Sequence, residues 1–126
     1  MNLKNIHHVA IICSEYEKSK EFYTKILGLE IIREVYRKER ESYKLDLKLG
    51  DSQIELFSFS NAPERPSYPE SCGLRHLAFQ VEDVEKTAGE LQGKGIRVED
   101  IRIDEFTGKK FTFFFDPDGL PLELYE

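Results

Sequence analysis

Two histidine–glutamate pairs recur in the chain at one spacing. His8 precedes Glu55 by 47 residues, and His76 precedes Glu123 by the same number. Each histidine lies in an apolar run typical of a strand, and each glutamate lies inside a later run of the same kind. Neutral imidazoles and carboxylates are ligands of Zn²⁺, Ni²⁺, Co²⁺, Fe²⁺ and Mn²⁺. These four residues are therefore a candidate site for one divalent metal ion.

The alternation of side chains along a strand predicts which face each candidate ligand takes. In the run LRHLAFQV, residues 74–81, His76 faces away from the Leu-Phe-Val side, which must pack against a helix. Glu123 likewise faces away from Leu122 and Leu124. A charged carboxylate among apolar strand residues is costly unless it is paired. A dication shared by two glutamates and two neutral histidines would balance the charge and could leave a position for water or substrate.

Two neighbours of these histidines have ordinary interpretations. His7 alternates with His8, so it is expected on the opposite face, as a surface residue or a neighbour of the ligands. Arg75 precedes His76 and is expected to point toward the helix side and reach water. A single strand histidine or glutamate is commonly half-buried or solvent-facing. Only the repeated set of four indicates a metal site.

The elements that would position these residues also repeat. Each half of the chain predicts a strand, a helix and three further strands, which is an internal repeat. A proline-rich stretch separates the halves and is typical of a linker. We therefore predict an α+β domain spanning residues 1–126, with module 1 at about 4–60, the linker at about 61–72 and module 2 at about 73–126. In the first helix, Ser14 and Glu17 form the pattern of a capping box.

Composition excludes several classes of function. The 126 residues suffice for one domain with a hydrophobic core. A net charge of −6 provides no basic surface for nucleic acid. No apolar run approaches the ~20 residues that cross a bilayer. Cys13 and Cys72 lie far apart, as expected for free thiols in a reducing compartment, which predicts a cytoplasmic protein.

Five motifs together give the chain a family resemblance. They are IHHVAI, SKEFYTKILGLE, QIELF, LRHLAFQVEDV and FDPDGLPLELYE, and they cover nearly the whole sequence. In these motifs the chain resembles the vicinal oxygen chelate superfamily. The resemblance implies two tandem βαβββ modules that form an open, cup-shaped curved sheet around one metal ion. It also implies the ligands His8, Glu55, His76 and Glu123, and a homodimer.

The full set of two histidines and two glutamates is most similar to that of bacterial glyoxalase I. That similarity implies a metal-dependent lyase or isomerase acting on a small substrate with vicinal oxygens, through an enediolate. Glu123 or Glu55 would be the catalytic base, and we favour Glu123. Extradiol dioxygenases and thiol transferases of the same superfamily use part of this ligand set and remain alternatives. A metal-free binding protein of the bleomycin-resistance type is a further alternative, although such relatives generally lack the ligands.

The chain departs from glutathione-dependent glyoxalases at two positions. Those enzymes usually carry arginine four residues after the first histidine and asparagine four residues after the first glutamate. Here the two positions hold Ile12 and Phe59, both apolar. The resemblance therefore does not imply glutathione as the thiol. Substrate contacts are expected from residues on the hollow face of the cup, namely Phe57, Phe59, Gln80 and Tyr125.

Overall fold

Both halves of the chain fold into a strand, a helix and three further strands. The computed structural model describes residues 1–126, which form two units, Met1–Pro63 (unit 1) and Glu64–Glu126 (unit 2). Each unit carries one four-stranded mixed sheet with the same strand order. The predicted α+β class, with two βαβββ modules in tandem, is confirmed.

Unit 1 is built on a sheet in which the first strand lies beside the fourth. Strand β1 (His8–Cys13) leads into helix α1 (Tyr16–Glu21), which continues as a π-helical turn (Phe22–Ile26). The remaining strands are β2 (Glu30–Arg37), β3 (Ser42–Leu49) and β4 (Ser52–Ser58), with a 3₁₀ turn (Lys38–Arg40) between β2 and β3. The sheet order is β1-β4-β3-β2, in which β1 runs parallel to β4 and the other pairs are antiparallel.

One face of this sheet is apolar and packs against α1. Leu45, Leu47, Ile54 and Leu56 alternate along β3 and β4 and are fully buried. Tyr23 of the π-helical turn is buried as well. Because side chains alternate along a strand, the polar residues between these leucines and isoleucines must lie on the other face.

Unit 2 repeats this plan with shorter strands. Strand β5 (Leu77–Gln80) precedes helix α2 (Val84–Gly93), and β6 (Arg102–Ile103), β7 (Lys110–Phe115) and β8 (Pro121–Tyr125) follow. The sheet order is β5-β8-β7-β6, with β5 parallel to β8. Helix α2 packs on β7 and β8. The buried apolar residues of this layer are Val84, Ala88, Leu91, Phe114, Leu122 and Leu124.

Three local features differ from the predictions. Helix α1 has Glu15 rather than the predicted Ser14 at its N-cap position, and the Glu15 side chain makes no capping hydrogen bond. Strand β5 begins only at Leu77. Strand β6 is limited to two residues, and Thr112 Oγ1 donates to the carbonyl of Glu99 at 2.7 Å.

The helices of the chain are short. The longest, α2, has 10 residues. No helix combines the length and the apolar character that a membrane span requires.

Candidate functional site

The parallel pairing of β1 with β4 brings the first histidine to the first glutamate. Ala10 pairs with Glu55 across the two strands, and His8 lies two residues before Ala10 on the same face. Nδ1 of His8 is 3.3 Å from Oε2 of Glu55. The Glu55 side chain is 10% exposed, whereas that of His8 is 43% exposed. The imidazole therefore lies at the water-accessible end of the pair.

Unit 2 contains the same relationship. Ala78 pairs with Glu123 across β5 and β8, and His76 again lies two residues before the alanine. Nε2 of His76 is 2.9 Å from Oε2 of Glu123, whose side chain is 11% exposed. The His76 ring contacts Phe113 edge to face, with 5.1 Å between ring centroids. Packing against Phe113 limits the rotation of the imidazole.

Each pair provides one imidazole nitrogen and one carboxylate oxygen for a metal ion. Nitrogen and oxygen donors of this kind fit the divalent transition metals. A protein site for such an ion normally has three or four ligands, so each pair alone provides only part of a ligand set. No group of three or more His, Cys, Asp or Glu side chains in the chain is arranged to hold a metal ion.

In unit 1 a lysine and a second carboxylate lie beside Glu55. Nζ of Lys44 is 3.2 Å from Oε1 of Glu55 and 2.6 Å from Oδ1 of Asp46. Asp46 pairs with Glu55 across β3 and β4, and its side chain is only 2% exposed. Arg33 donates to the other oxygen of Asp46, with Nη2 at 3.1 Å. The polar face of unit 1 is therefore a connected charge network.

The two cations of this network keep Asp46 ionised. Burial acts to raise the pKa of Asp46, but hydrogen bonds from Lys44 and Arg33 outweigh it and hold the pKa below its usual value. Burial acts to lower the pKa of Lys44, and its hydrogen bonds to Asp46 and Glu55 raise it overall. Lys44 is therefore a permanent positive charge beside the candidate ligand Glu55.

In unit 2, His76 and Glu123 line a cavity of about 660 Å³. Phe111, Phe113, Phe115 and Tyr125 provide much of its apolar wall. Another wall comes from the loop of residues 65–75, which Arg65 closes by donating from Nη2 to the carbonyls of Leu74 and Arg75, at 2.7 and 3.0 Å. The second histidine–glutamate pair therefore opens into a space large enough for a small molecule.

The hydroxyl of Tyr125 is fixed at the edge of this cavity. It donates to Oδ2 of Asp104 at 2.9 Å and lies 2.5 Å from Oγ1 of Thr107. The backbone N–H of Phe106 and then the Tyr125 hydroxyl lower the pKa of Asp104. The negative charge of Asp104 thus anchors Tyr125, and the aromatic ring is left facing the cavity.

The four residues predicted to contact the substrate do not all lie at one site. Tyr125 lines the cavity with Glu123. Phe57 lies on the face of unit 1 that carries Glu55, and its ring stacks on Phe59, with 6.2 Å between centroids. Gln80 does not line the cavity of His76 and lies instead in a separate pocket with Lys109.

Two expectations about histidine neighbours hold only in part: His7 is an exposed neighbour of His8 and Arg75 reaches water, but their faces differ from the predicted ones. His7 lies outside β1, with its Nδ1 2.9 Å from Nδ1 of His8, so the two imidazoles do not separate onto opposite faces. Arg75 lines the cavity with His76 and pairs with Glu70 at 2.7 Å. His7 and Arg75 lie just before the first residues of β1 and β5.

Sequence reasoning also missed Lys44 and Asp46. Both alternate with the buried leucines of β3, a pattern that is typical of a half-buried strand. The pairing of Asp46 with Glu55 places them on the face of the candidate ligand. The sequence did contain one signal for them. Charged residues occur on both β3 and β4, which the repeat predicts to be neighbouring strands.

The sequence matches the model of the Glyoxalase/Bleomycin resistance protein/Dioxygenase superfamily over residues 5–124. The protein YwkD of Bacillus subtilis (strain 168) is 64% identical over 127 aligned residues, which span 100% of this chain and 99% of YwkD. A solved structure of a glyoxalase family protein from Enterococcus faecalis superposes with a TM-score of 0.94 and 56% sequence identity, covering 100% of both chains.

More distant relatives have names that describe enzymes. The metallothiol transferase FosB of Staphylococcus haemolyticus is 30% identical and is aligned over 98% of this chain and 84% of FosB. The protein named Glyoxylase I 4 of Arabidopsis thaliana is 29% identical, over 98% of this chain and 71% of the relative. The similarity thus extends to named enzymes of more than one kind.

Proposed function

Because the chain belongs to the Glyoxalase/Bleomycin resistance protein/Dioxygenase superfamily, we propose that it is a metal-dependent lyase or isomerase of glyoxalase I type. The observation that supports this most is the repetition of one histidine–glutamate geometry in both units. His8 with Glu55 and His76 with Glu123 have the same strand register, and both pairs are within 3.3 Å. A stability role alone would not require the same polar pair twice.

In this proposal the two pairs hold one divalent ion, Zn²⁺, Ni²⁺, Co²⁺, Fe²⁺ or Mn²⁺, through His8, Glu55, His76 and Glu123. Once bound, such an ion would stabilise the negative charge that develops on a substrate carbonyl oxygen when the neighbouring C–H bond breaks. The two pairs belong either to one chain or to the two chains of a homodimer. The substrate is a small molecule with two adjacent oxygen atoms.

Glu123 is the residue we assign as the base. Both oxygens of Glu55 have partners, because Oε1 lies against Lys44 and Oε2 against His8. Glu123 has one oxygen against His76, and the other has no hydrogen-bond partner in the chain. Since Glu123 also lines the cavity, its second oxygen can accept a proton from a bound substrate and return it to the adjacent carbon.

The surroundings of the two pairs argue against glutathione as the thiol. Ile12, which pairs with Phe57, is exposed and apolar, and Phe59 stacks on Phe57 instead of presenting an amide. A smaller adduct or an unrelated oxygenated compound suits these surfaces better. Neither Cys13 nor Cys72 forms a disulfide, which supports a cytoplasmic location for this chemistry.

A thiol transferase is the second function that we consider. The similarity to FosB, whose name describes a metallothiol transferase, favours it. In that case a thiol would add to the substrate, and fewer of the four ligands would be required. Glu55, which Lys44 and His8 already engage, would then be the dispensable ligand.

The test is an activity assay with defined metals. Metal-stripped protein is reloaded with each candidate ion and assayed with methylglyoxal and a panel of small thiols. The proposal predicts turnover that Glu123→Gln abolishes. Each thiol adds to methylglyoxal and gives a hemithioacetal. If the metal-loaded protein is inactive on all of these hemithioacetals, the glyoxalase reaction is rejected. Thiol consumption by addition to the second substrate, without any isomerisation, would instead favour the transferase. Turnover of catechols with oxygen would favour the dioxygenase.

A further inference from the structure

Arg37 is a partly buried guanidinium with no acidic partner. Its Nη2 donates to Oγ of Ser42 at 2.9 Å, and Ser42 is completely buried. Its Nε is buried and has no hydrogen-bond partner. A buried donor that is left unsatisfied typically costs about 1–3 kcal/mol, so it indicates a missing partner.

Other arginines of the chain are paired differently. Arg33 contacts Asp46, Arg75 contacts Glu70, and Arg102 has Glu99 within 3.5 Å. Arg65 donates to two backbone carbonyls. In a chain with 24 acidic and 18 basic residues, a half-buried arginine without a carboxylate is available for an anion from outside the chain.

Two aromatic rings hold this guanidinium in place. The central carbon of the Arg37 guanidinium lies 4.8 Å from the Phe57 ring centroid and 5.7 Å from that of Phe59. The two rings are nearly parallel, with 9° between their planes. Stacking on a ring stabilises the cation through its face and leaves the N–H groups at its edge for hydrogen bonds. Nζ of Lys44, 5.9 Å from the Phe57 centroid, adds a second positive charge.

The position of this cluster relates it to the proposed site. Phe57 lies two residues after Glu55 on the same face of β4, so the two side chains are roughly 7 Å apart along the strand. A molecule of a few carbon atoms can span that distance. The cluster of Arg37, Phe57 and Phe59 is therefore within reach of a substrate whose reacting atoms lie at Glu55.

We propose that Arg37 binds an oxyanion, a carboxylate or a phosphate, that the substrate carries next to a planar or apolar group. The N–H groups of the guanidinium that Ser42 does not engage take the oxyanion, and Phe57 with Phe59 takes the planar group. That the anion is part of the substrate rests on the proposed function. That Arg37 binds an anion does not depend on it. The substrate, including any adduct that a thiol forms with it, is then a small oxygenated molecule that carries an acidic group.

The test uses the full chain, stripped of metal with a chelator, and benzoylformate as the probe. Benzoylformate combines a carboxylate with a planar ring, and its methyl ester is the neutral control. Binding is followed by two-dimensional NMR titration of wild type, Arg37→Gln and Arg40→Gln. Arg40 lies on the next turn, is exposed and has no acidic partner, so it is the matched control. Phenyl phosphate replaces benzoylformate in a parallel arm to separate phosphate from carboxylate recognition.

We expect benzoylformate to bind wild type and Arg40→Gln equally, and to bind Arg37→Gln about tenfold more weakly. The ester is expected to bind weakly to all three proteins. Equal affinity of wild type for acid and ester, or no loss in Arg37→Gln, would overturn the proposal. If Arg37→Gln does not fold, two other measurements test the proposal. They are the affinity of Arg37→Lys for benzoylformate and the affinity of wild type for the acid compared with its methyl ester. A protein that binds the acid through Arg37 but retains no metal after reloading would reject the proposed function and keep this site.

Discussion

Nζ of Lys44 lies 3.2 Å from Oε1 of Glu55, so a candidate metal ligand carries a permanent cation at its side. Lys44 repels an approaching dication and competes with it for the carboxylate. We therefore predict that Lys44→Met binds Zn²⁺ about tenfold more tightly than wild type, as measured by competition with a chromophoric chelator. Lys48→Met is the control, because Lys48 lies on the same face of β3 but pairs with Gln53. Unchanged or weaker binding in Lys44→Met would show that Lys44 does not oppose the metal.

The two glutamates are predicted to respond differently to amide substitution. Glu123→Gln keeps an oxygen ligand but removes the base, so exchange of the substrate C–H with deuterated solvent should fall at least about 100-fold. Glu55→Gln should weaken metal binding and retain the exchange when metal is in excess. The measurement is NMR of the substrate in D₂O. The reverse pattern would move the role of base to Glu55.

Arg65 is predicted to hold the cavity wall of residues 65–75. Replacing it with glutamine removes the two hydrogen bonds to Leu74 and Arg75 that close this loop. Hydrogen exchange, followed by mass spectrometry, should accelerate in residues 65–75 and stay unchanged in unit 1. Arg97→Gln, at an exposed arginine of the same unit, is the control. Equal exchange in Arg65→Gln and wild type would mean that the loop is held by other contacts.

Glu34 is predicted to make stability depend on pH. Hydrogen bonds from Lys20 and then Tyr16 lower the pKa of Glu34 below its ordinary value of 4.5. A carboxyl whose pKa is lower in the folded state stabilises the fold above that ordinary value, and the stabilisation is lost as pH falls through the folded pKa. Glu34→Gln should therefore lower the free energy of unfolding at pH 7 by about 1 kcal/mol or less, because the pair is partly exposed.

The same variant should show a flatter dependence of stability on pH between about 3 and 5 than wild type. Urea unfolding at a series of pH values measures this slope. Glu21→Gln, at an exposed end of α1, should keep the slope of wild type. A Glu34→Gln slope that matches wild type would assign the acid sensitivity to other carboxylates.

Much of the fold follows from patterns visible in the sequence. The alternation in IELF and LELY correctly placed Glu55 and Glu123 opposite the buried aliphatic residues. The internal repeat predicted both modules, because each needs the same strand order to bury its apolar face. Alternation does not predict the contacts of His7 and Arg75, which lie just before the first residues of β1 and β5.

The parts that could not be predicted depend on contacts between distant segments. The register that sets Asp46 beside Glu55, and with it the position of Lys44, becomes visible only when β3 is paired with β4. The cation of Arg37 over Phe57 joins the end of β2 to β4. The alternation along a strand predicts on which face of the sheet a charged or aromatic side chain lies. Its role depends on the side chain that lies beside it on the neighbouring strand.

The central claim is that both histidine–glutamate pairs serve one metal ion. The most direct measurement is the metal content of purified protein, by inductively coupled plasma mass spectrometry, for wild type, His8→Ala and His76→Ala. We predict one divalent ion per chain in wild type and loss of that ion in either variant. No metal after reloading of wild type, or two ions per chain of which each variant loses only one, would contradict the claim.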